Sequence, residues 1–104
     1  MITCFIRYEL DPFKVEQFER YAAAWSEAIP ACGADLIGYF APHEGSATAG
    51  YGVYTVENLA AYEAYRARLR EHPVGRANFA FARAEQFIRR EDRLFLRRVA
   101  GPRA

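Results

Sequence analysis

Arg66 is the residue whose type and spacing best suit it to hold a ligand. It lies seven residues after Leu59 and four after Tyr62, with Leu69 three further on, so it flanks the apolar stripe of a predicted helix. A guanidinium there can fork onto a carboxylate or another anion through paired hydrogen bonds. The competing arrangement lays the stem along the sheet edge and leaves the head in water. Tyr39 and His43 share parity on a predicted strand, and Tyr54 sits on the partner strand. A Tyr–His pair at a cavity mouth could move protons, because histidine titrates near neutrality. His43 also stands beside Pro42 and close to Gly45, where a solvated loop histidine is the simpler outcome. Arg7 and Glu9 share a strand face and suit either a ligand anchor or an ion pair across strands or subunits. The candidate ligand-binding set is Arg66, Tyr39, His43, Tyr54 and Arg7, and no catalytic residue is assigned.

Other chemistries lack their residues. Gly45, Gly50 and Gly52 match neither dinucleotide nor nucleotide loop spacing. Ser26 and Ser46, the only serines, sit in no nucleophile elbow. His43 and His72 lie in different segments, and Cys4 and Cys32 are far apart, so no metal site and no cofactor is implied. His72, next to Pro73, is expected to cap a helix or plug a junction. Both cysteines read as small core residues. Net charge is +1, although residues 1–52 hold three basic and seven acidic side chains and residues 53–104 hold eleven and six. That asymmetry fits solvated helix surfaces or complementary faces between subunits, and gives no global field for nucleic acid or anionic membrane. Arg89, Arg90, Arg93, Arg97 and Arg98 spread over a helix end and both faces of a strand, which favours solvation or salt bridges over RNA. With no secretory core and no apolar run of about 18 residues, the expectation is a cytoplasmic protein.

The elements that must position these residues follow from periodicity. With 104 residues, 52% of them hydrophobic and 15% aromatic, the chain suits a single domain over 1–104. Residues 2–10 alternate as a strand. Asp11 and Pro12 predict a helix start, continued by Phe18, Tyr21, Ala22, Trp25, Ala28 and Ile29 and ended by Pro30 and Gly33. Residues 35–41 and 51–56 predict a hairpin around the 42–50 loop. A second helix is expected over 57–71, stopping at His72–Pro73. Pro73 opens a third helix with Val74, Ala77, Phe81, Ala84 and Ile88 on one stripe; Glu91–Asp92 closes it, and residues 94–100 form the last strand.

The order β-α-β-β-α-(α)-β predicts an α+β, ferredoxin-like subunit: a four-stranded antiparallel sheet with its helices on one face. Phe5, Ile37, Tyr39, Tyr54, Phe95 and Val99 lie out of phase with Ile6, Leu36, Val53, Leu94 and Leu96, so both sheet faces carry apolar residues. A face left bare in that state invites a second copy, and two sheets closing together would make a barrel.

The stretch Gly38 to Pro73 resembles the NIPSNAP family of the dimeric α/β-barrel superfamily. The likeness rests on the strand leading to a loop with Glu44–Gly45, the next aromatic strand, the helix with Tyr62, Tyr65, Arg66 and Leu69, and the His72–Pro73 break. With the first strand and helix it spans about 95 residues. The resemblance implies a ferredoxin-like subunit, a dimer (homodimer or higher even oligomer) with a barrel between two sheets, and a ligand cavity in each subunit. It implies no activity, since the superfamily holds cofactor-free monooxygenases, haem-degrading enzymes, lactone isomerases and dehydratases. Two readings follow. One is a homo-oligomeric small-molecule-binding or interaction domain without activity, its partner itself and a small ligand. The alternative is a cofactor-free monooxygenase or isomerase working on a small organic substrate in the sheet–helix cavity.

Overall fold

The structure, a computed structural model, describes residues 1–102. Its elements run β1 (Ile2–Leu10), α1 (Val15–Ala31), β2 (Asp35–Phe40), β3 (Ala49–Val56), α2 (Leu59–Glu71), α3 (Pro73–Glu85) and β4 (Ile88–Leu96). The strands form one four-stranded sheet in the order β2-β3-β1-β4. All three pairings are antiparallel, as the ferredoxin-like α+β reading requires.

Strand period two divides the sheet into unlike faces. Cys4, Ile6, Tyr8 and Leu10 of β1 point toward the helices and are buried. Their register partners Tyr54 on β3 and Glu91, Arg93 and Phe95 on β4 share that face. Over them α1 lays Phe18, Tyr21, Trp25, Ala28 and Ile29. Asn78 of α3 donates from Nδ2 to the Tyr21 carbonyl at 2.9 Å, tying α3 to α1. Gly75 is required where α3 meets α2, because a Cβ there would collide with the backbone carbonyl of Leu69. Among the described residues the opposite face has no helix. Phe5 and Tyr51 pack there, ring centroids 5.4 Å apart, beside exposed Phe40, Leu94 and Leu96.

Both faces are therefore apolar, but their membership departs from the sequence expectation. Tyr39, Tyr54 and Phe95 belong with the helices; Phe5 belongs with Val53, Leu94 and Leu96 on the bare face. The cause in β2 is a register shift between Leu36 and Gly38 that turns Ile37 out of the ladder, so Leu36 and Tyr39 fall on one face.

The local signals also resolve differently in places. Asp11 does not cap α1: its carboxylate accepts from the Phe13 amide at 2.9 Å in a turn, and the helix begins at Val15. Pro30 sits inside the last turn of α1, and Gly33, at φ 100, makes the exit. Asn58 caps α2 by accepting from the Ala61 amide at 2.8 Å. His72 ends α2 and caps α3, its Nδ1 accepting from the Val74 amide at 3.2 Å, as its place before Pro73 predicts.

The largest correction is at β4. Glu91–Asp92 does not close α3, and Ile88 is not on its stripe. Gln86 ends the helix in the left-handed conformation at φ 52, Phe87 is fully buried, and the strand starts at Ile88. The run Ile-Arg-Arg-Glu-Asp-Arg is highly charged because β4 is an edge strand, where charge prevents unwanted pairing.

Candidate functional site

Between the covered face and the helices lies a cavity of ≈ 60 Å³. Sheet residues Ile6, Tyr8, Tyr39, Tyr54, Glu91 and Arg93 form its floor, α1, α2 and α3 wall it with Trp25, Tyr65, Arg66 and Phe79 among others, and it opens to solvent where Glu91 is exposed. Of the residues predicted for the site, Arg66, Tyr39 and Tyr54 line this cavity. His43 and Arg7 do not. His43 is exposed in the 42–47 loop, beside Pro12 and Val15, because β2 ends at Phe40 and the chain has left the strand before it. Arg7 is exposed on the bare face, opposite Tyr51 and Asp92, because it is out of phase with the buried side chains of β1. The Tyr39–His43 pair therefore does not form.

The tyrosines are fixed by packing. Tyr8 and Tyr39 stack at 6.1 Å and share a hydroxyl contact of 3.3 Å. Gly52 makes this possible, since a Cβ on it would lie 2.7 Å from the Tyr39 ring. Tyr54 and Tyr65 tilt against each other at 5.2 Å. Burial pushes the phenols of Tyr8, Tyr21, Tyr39, Tyr54 and Tyr65 above their usual value, so at neutral pH they are uncharged hydrogen-bond partners. Burial raises the Cys4 thiol too, which keeps it protonated.

The charged residues are not equivalent. Arg93 donates from Nη2 to Glu91 Oε2 at 2.7 Å and from Nη1 to the Tyr62 hydroxyl at 3.3 Å. Burial alone would lower its pKa, but the Glu91 carboxylate together with Tyr62, Tyr54 and Cys4 outweighs that and holds the guanidinium charged. Its Nε is buried without a partner. Arg66 is half-buried, and among the described residues it makes no ion pair and no hydrogen bond; its guanidinium carbon lies 5.9 Å from the Phe79 ring centroid. The two arginines and one carboxylate leave the cavity with one uncompensated positive charge, on Arg66.

Sequence reasoning missed Tyr8, Tyr65, Glu91 and Arg93. Tyr8 shares parity with Cys4 and Ile6, and Tyr65 stands four before Leu69, so periodicity held both signals. Glu91 and Arg93 were hidden by the delayed start assigned to β4.

The fold recurs in solved structures. A protein from Agrobacterium tumefaciens superposes with a TM-score of 0.82 at 17% identity, covering 95% of this chain and 94% of that one. An uncharacterized NIPSNAP domain protein from Burkholderia xenovorans gives 0.76 at 20% identity, covering 96% of each chain. A candidate antibiotic biosynthesis monooxygenase from Nitrosomonas europaea gives 0.73 at 9% identity, covering 96% of this chain and all (100%) of the other. Identities this low establish shared architecture and no shared chemistry. No curated protein matches the sequence. The NIPSNAP family pattern, in contrast, matches residues 3–101, nearly the whole sequence, and on that match the chain belongs to the NIPSNAP family.

Proposed function

We propose that this NIPSNAP protein is a homo-oligomeric small-molecule-binding module, with its ligand in the sheet–helix cavity and Arg66 as the anchor. One observation carries the reading: a half-buried guanidinium faces a cavity whose one lining carboxylate, Glu91, is already paired with Arg93. A charge held away from bulk water calls for a partner, and a bound anion supplies one. The bare sheet face supports self-association, since Phe5, Phe40, Tyr51, Leu94 and Leu96 present rings and aliphatics to solvent. A two-fold partner would cover them and close a barrel. The free, buried Cys4 and Cys32 suit a reducing cytoplasm, and no helix among the described residues is long and apolar enough to cross a membrane.

The alternative, a cofactor-free monooxygenase or isomerase, draws support from the likeness to the Nitrosomonas protein. The cavity favours binding over turnover. Its phenols are held neutral, and its one carboxylate, Glu91, is engaged by Arg93, so a free general base is missing from the lining.

Native mass spectrometry of freshly expressed protein tests the reading. The expected result is an even oligomer carrying a small anionic mass that disappears in Arg66→Gln. A stable monomer would remove the assembly, and a retained mass indifferent to Arg66→Gln would remove the site.

A further inference from the structure

We infer that the cavity selects short-chain monocarboxylates, of the size of acetate or propionate, over aromatic acids and dicarboxylates. The inference rests on the binding reading above and adds the ligand's charge and size.

Charge comes first. Three ionic side chains line the cavity: Arg66, Arg93 and Glu91. Glu91 and Arg93 close on each other at 2.7 Å and cancel. Arg66 remains, so one negative charge neutralises the site. A second carboxylate would stand beside Glu91 with no cation left to meet it, and like charges held side by side repel.

Size comes second. The cavity measures ≈ 60 Å³. A dry cavity of roughly 150 Å³ accepts benzene, and one water takes roughly 30 Å³ of liquid volume. The space therefore suits an acid of a few heavy atoms and is too small for a ring. It is also poorly able to widen. Tyr39 is held between Gly52, whose Cβ would lie 2.7 Å from its ring, and Tyr8, with which it stacks. Trp25 and Phe79 meet edge to face at 5.1 Å. Tightly packed interiors yield by small steps, and each step has a cost.

The wall chemistry completes the match. An acid needs a fork of donors at its head and apolar surface along its tail. Arg66 supplies the fork, and the neutral hydroxyls of Tyr54, on the sheet floor, and Tyr65, on the helical side, add polar surface to the same cavity. Ile6, Ile29 and Leu69 supply the apolar surface.

The test uses the full chain in a carboxylate-free buffer. Propionate, benzoate and malonate are titrated separately by calorimetry, with thermal shift as a second readout. Propionate is expected to bind saturably at about one per subunit, while benzoate and malonate do not bind. Arg66→Gln should weaken propionate roughly tenfold or more, the range expected for losing a charge-assisted pair. Arg66→Lys, which keeps the charge and loses the fork, should fall between. Leu69→Ala enlarges the cavity and should admit benzoate. Arg66-dependent binding of benzoate or malonate to the unmodified chain would overturn the size or the charge argument while leaving the cavity as the ligand site. Propionate affinity unchanged in both Arg66 variants would overturn the inference and the anchor together, as would failure of all three acids to bind a folded protein.

Discussion

The sheet carries rings on both sides, yet the two sides solve opposite problems. On the covered face most are phenols: Tyr8, Tyr39 and Tyr54 lie under α1 and α2, where their hydroxyls meet one another or the cavity. On the bare face Phe5, Phe40 and Tyr51 stand among Val53, Leu94 and Leu96, with Arg7, Glu9, Arg90 and Asp92 clustered toward one end. The contrast teaches that a buried hydroxyl is tolerable where neighbours or a cavity satisfy it. An apolar surface edged by paired charges has no such cover within the fold, and it is the face that the proposed second copy would bury.

The largest expected difference between the faces appears at high pH. Tyr8, Tyr21, Tyr54 and Tyr65 are buried, and burial raises each phenol. A raised folded pKa means that the contribution to stability is complete below the unfolded value of about 10 and is lost as pH climbs from there toward the folded values. Each such tyrosine then removes about 1.4 kcal/mol per pH unit. The four together exceed the usual margin of about 5–15 kcal/mol within a few pH units. Phenolate absorbance from these rings should therefore rise in step with loss of circular dichroism. Their ionisation in a still-folded chain would show that the covered face is wetter than its packing.

Substitution separates the faces next. Phe18 is fully buried against Tyr8, Tyr21, Tyr39 and Phe87. Phe18→Ala should cost about 3–5 kcal/mol in denaturant unfolding, at the level of the large core truncations. Leu94→Asp changes an exposed side chain on the bare face. It should leave the subunit's helical signal intact while lowering the mass measured by light scattering to that of one chain. Equal loss of fold in both variants would make the bare face part of the subunit's own core.

How much of this was legible in the sequence depends on how many signals agreed. β1, with Cys4, Ile6, Tyr8 and Leu10 in strict alternation, and the junction at His72–Pro73 were readable because period, propensity and capping all pointed one way. The start of β4 was not. Arg89, Arg90, Glu91, Asp92 and Arg93 have the composition of a solvated helix end, and only the pairing of Glu91 with Tyr8 and Arg93 with Ile6 makes them a strand. The site inherited that error. Arg66, Tyr39 and Tyr54 fall on the cavity lining from elements that the sequence places well, whereas Glu91 and Arg93, which neutralise each other there, lie in the part of β4 that the sequence reads as a helix end. Arg7 lies off the cavity because parity on a strand predicts a face and says nothing of which face holds the cavity, and His43 because β2 ends at Phe40, before that parity can apply to it.

Two glycines make the smallest and sharpest version of the comparison. Gly52 lies on the covered face, where a Cβ would meet the Tyr39 ring at 2.7 Å. Gly52→Ala should force that ring toward Tyr8 and the cavity, costing roughly 1–3 kcal/mol as overpacking does and weakening any ligand held there. Gly45 lies in the loop at φ 91 with nothing within 4 Å of the position a Cβ would take. Gly45→Ala should cost roughly 1–2 kcal/mol through backbone strain alone, with ligand affinity unchanged. The stabilities of the two variants should therefore be close while their binding differs. Parallel loss of binding in both would mean that the loop carrying His43 reaches the cavity after all, and would return that histidine to the site.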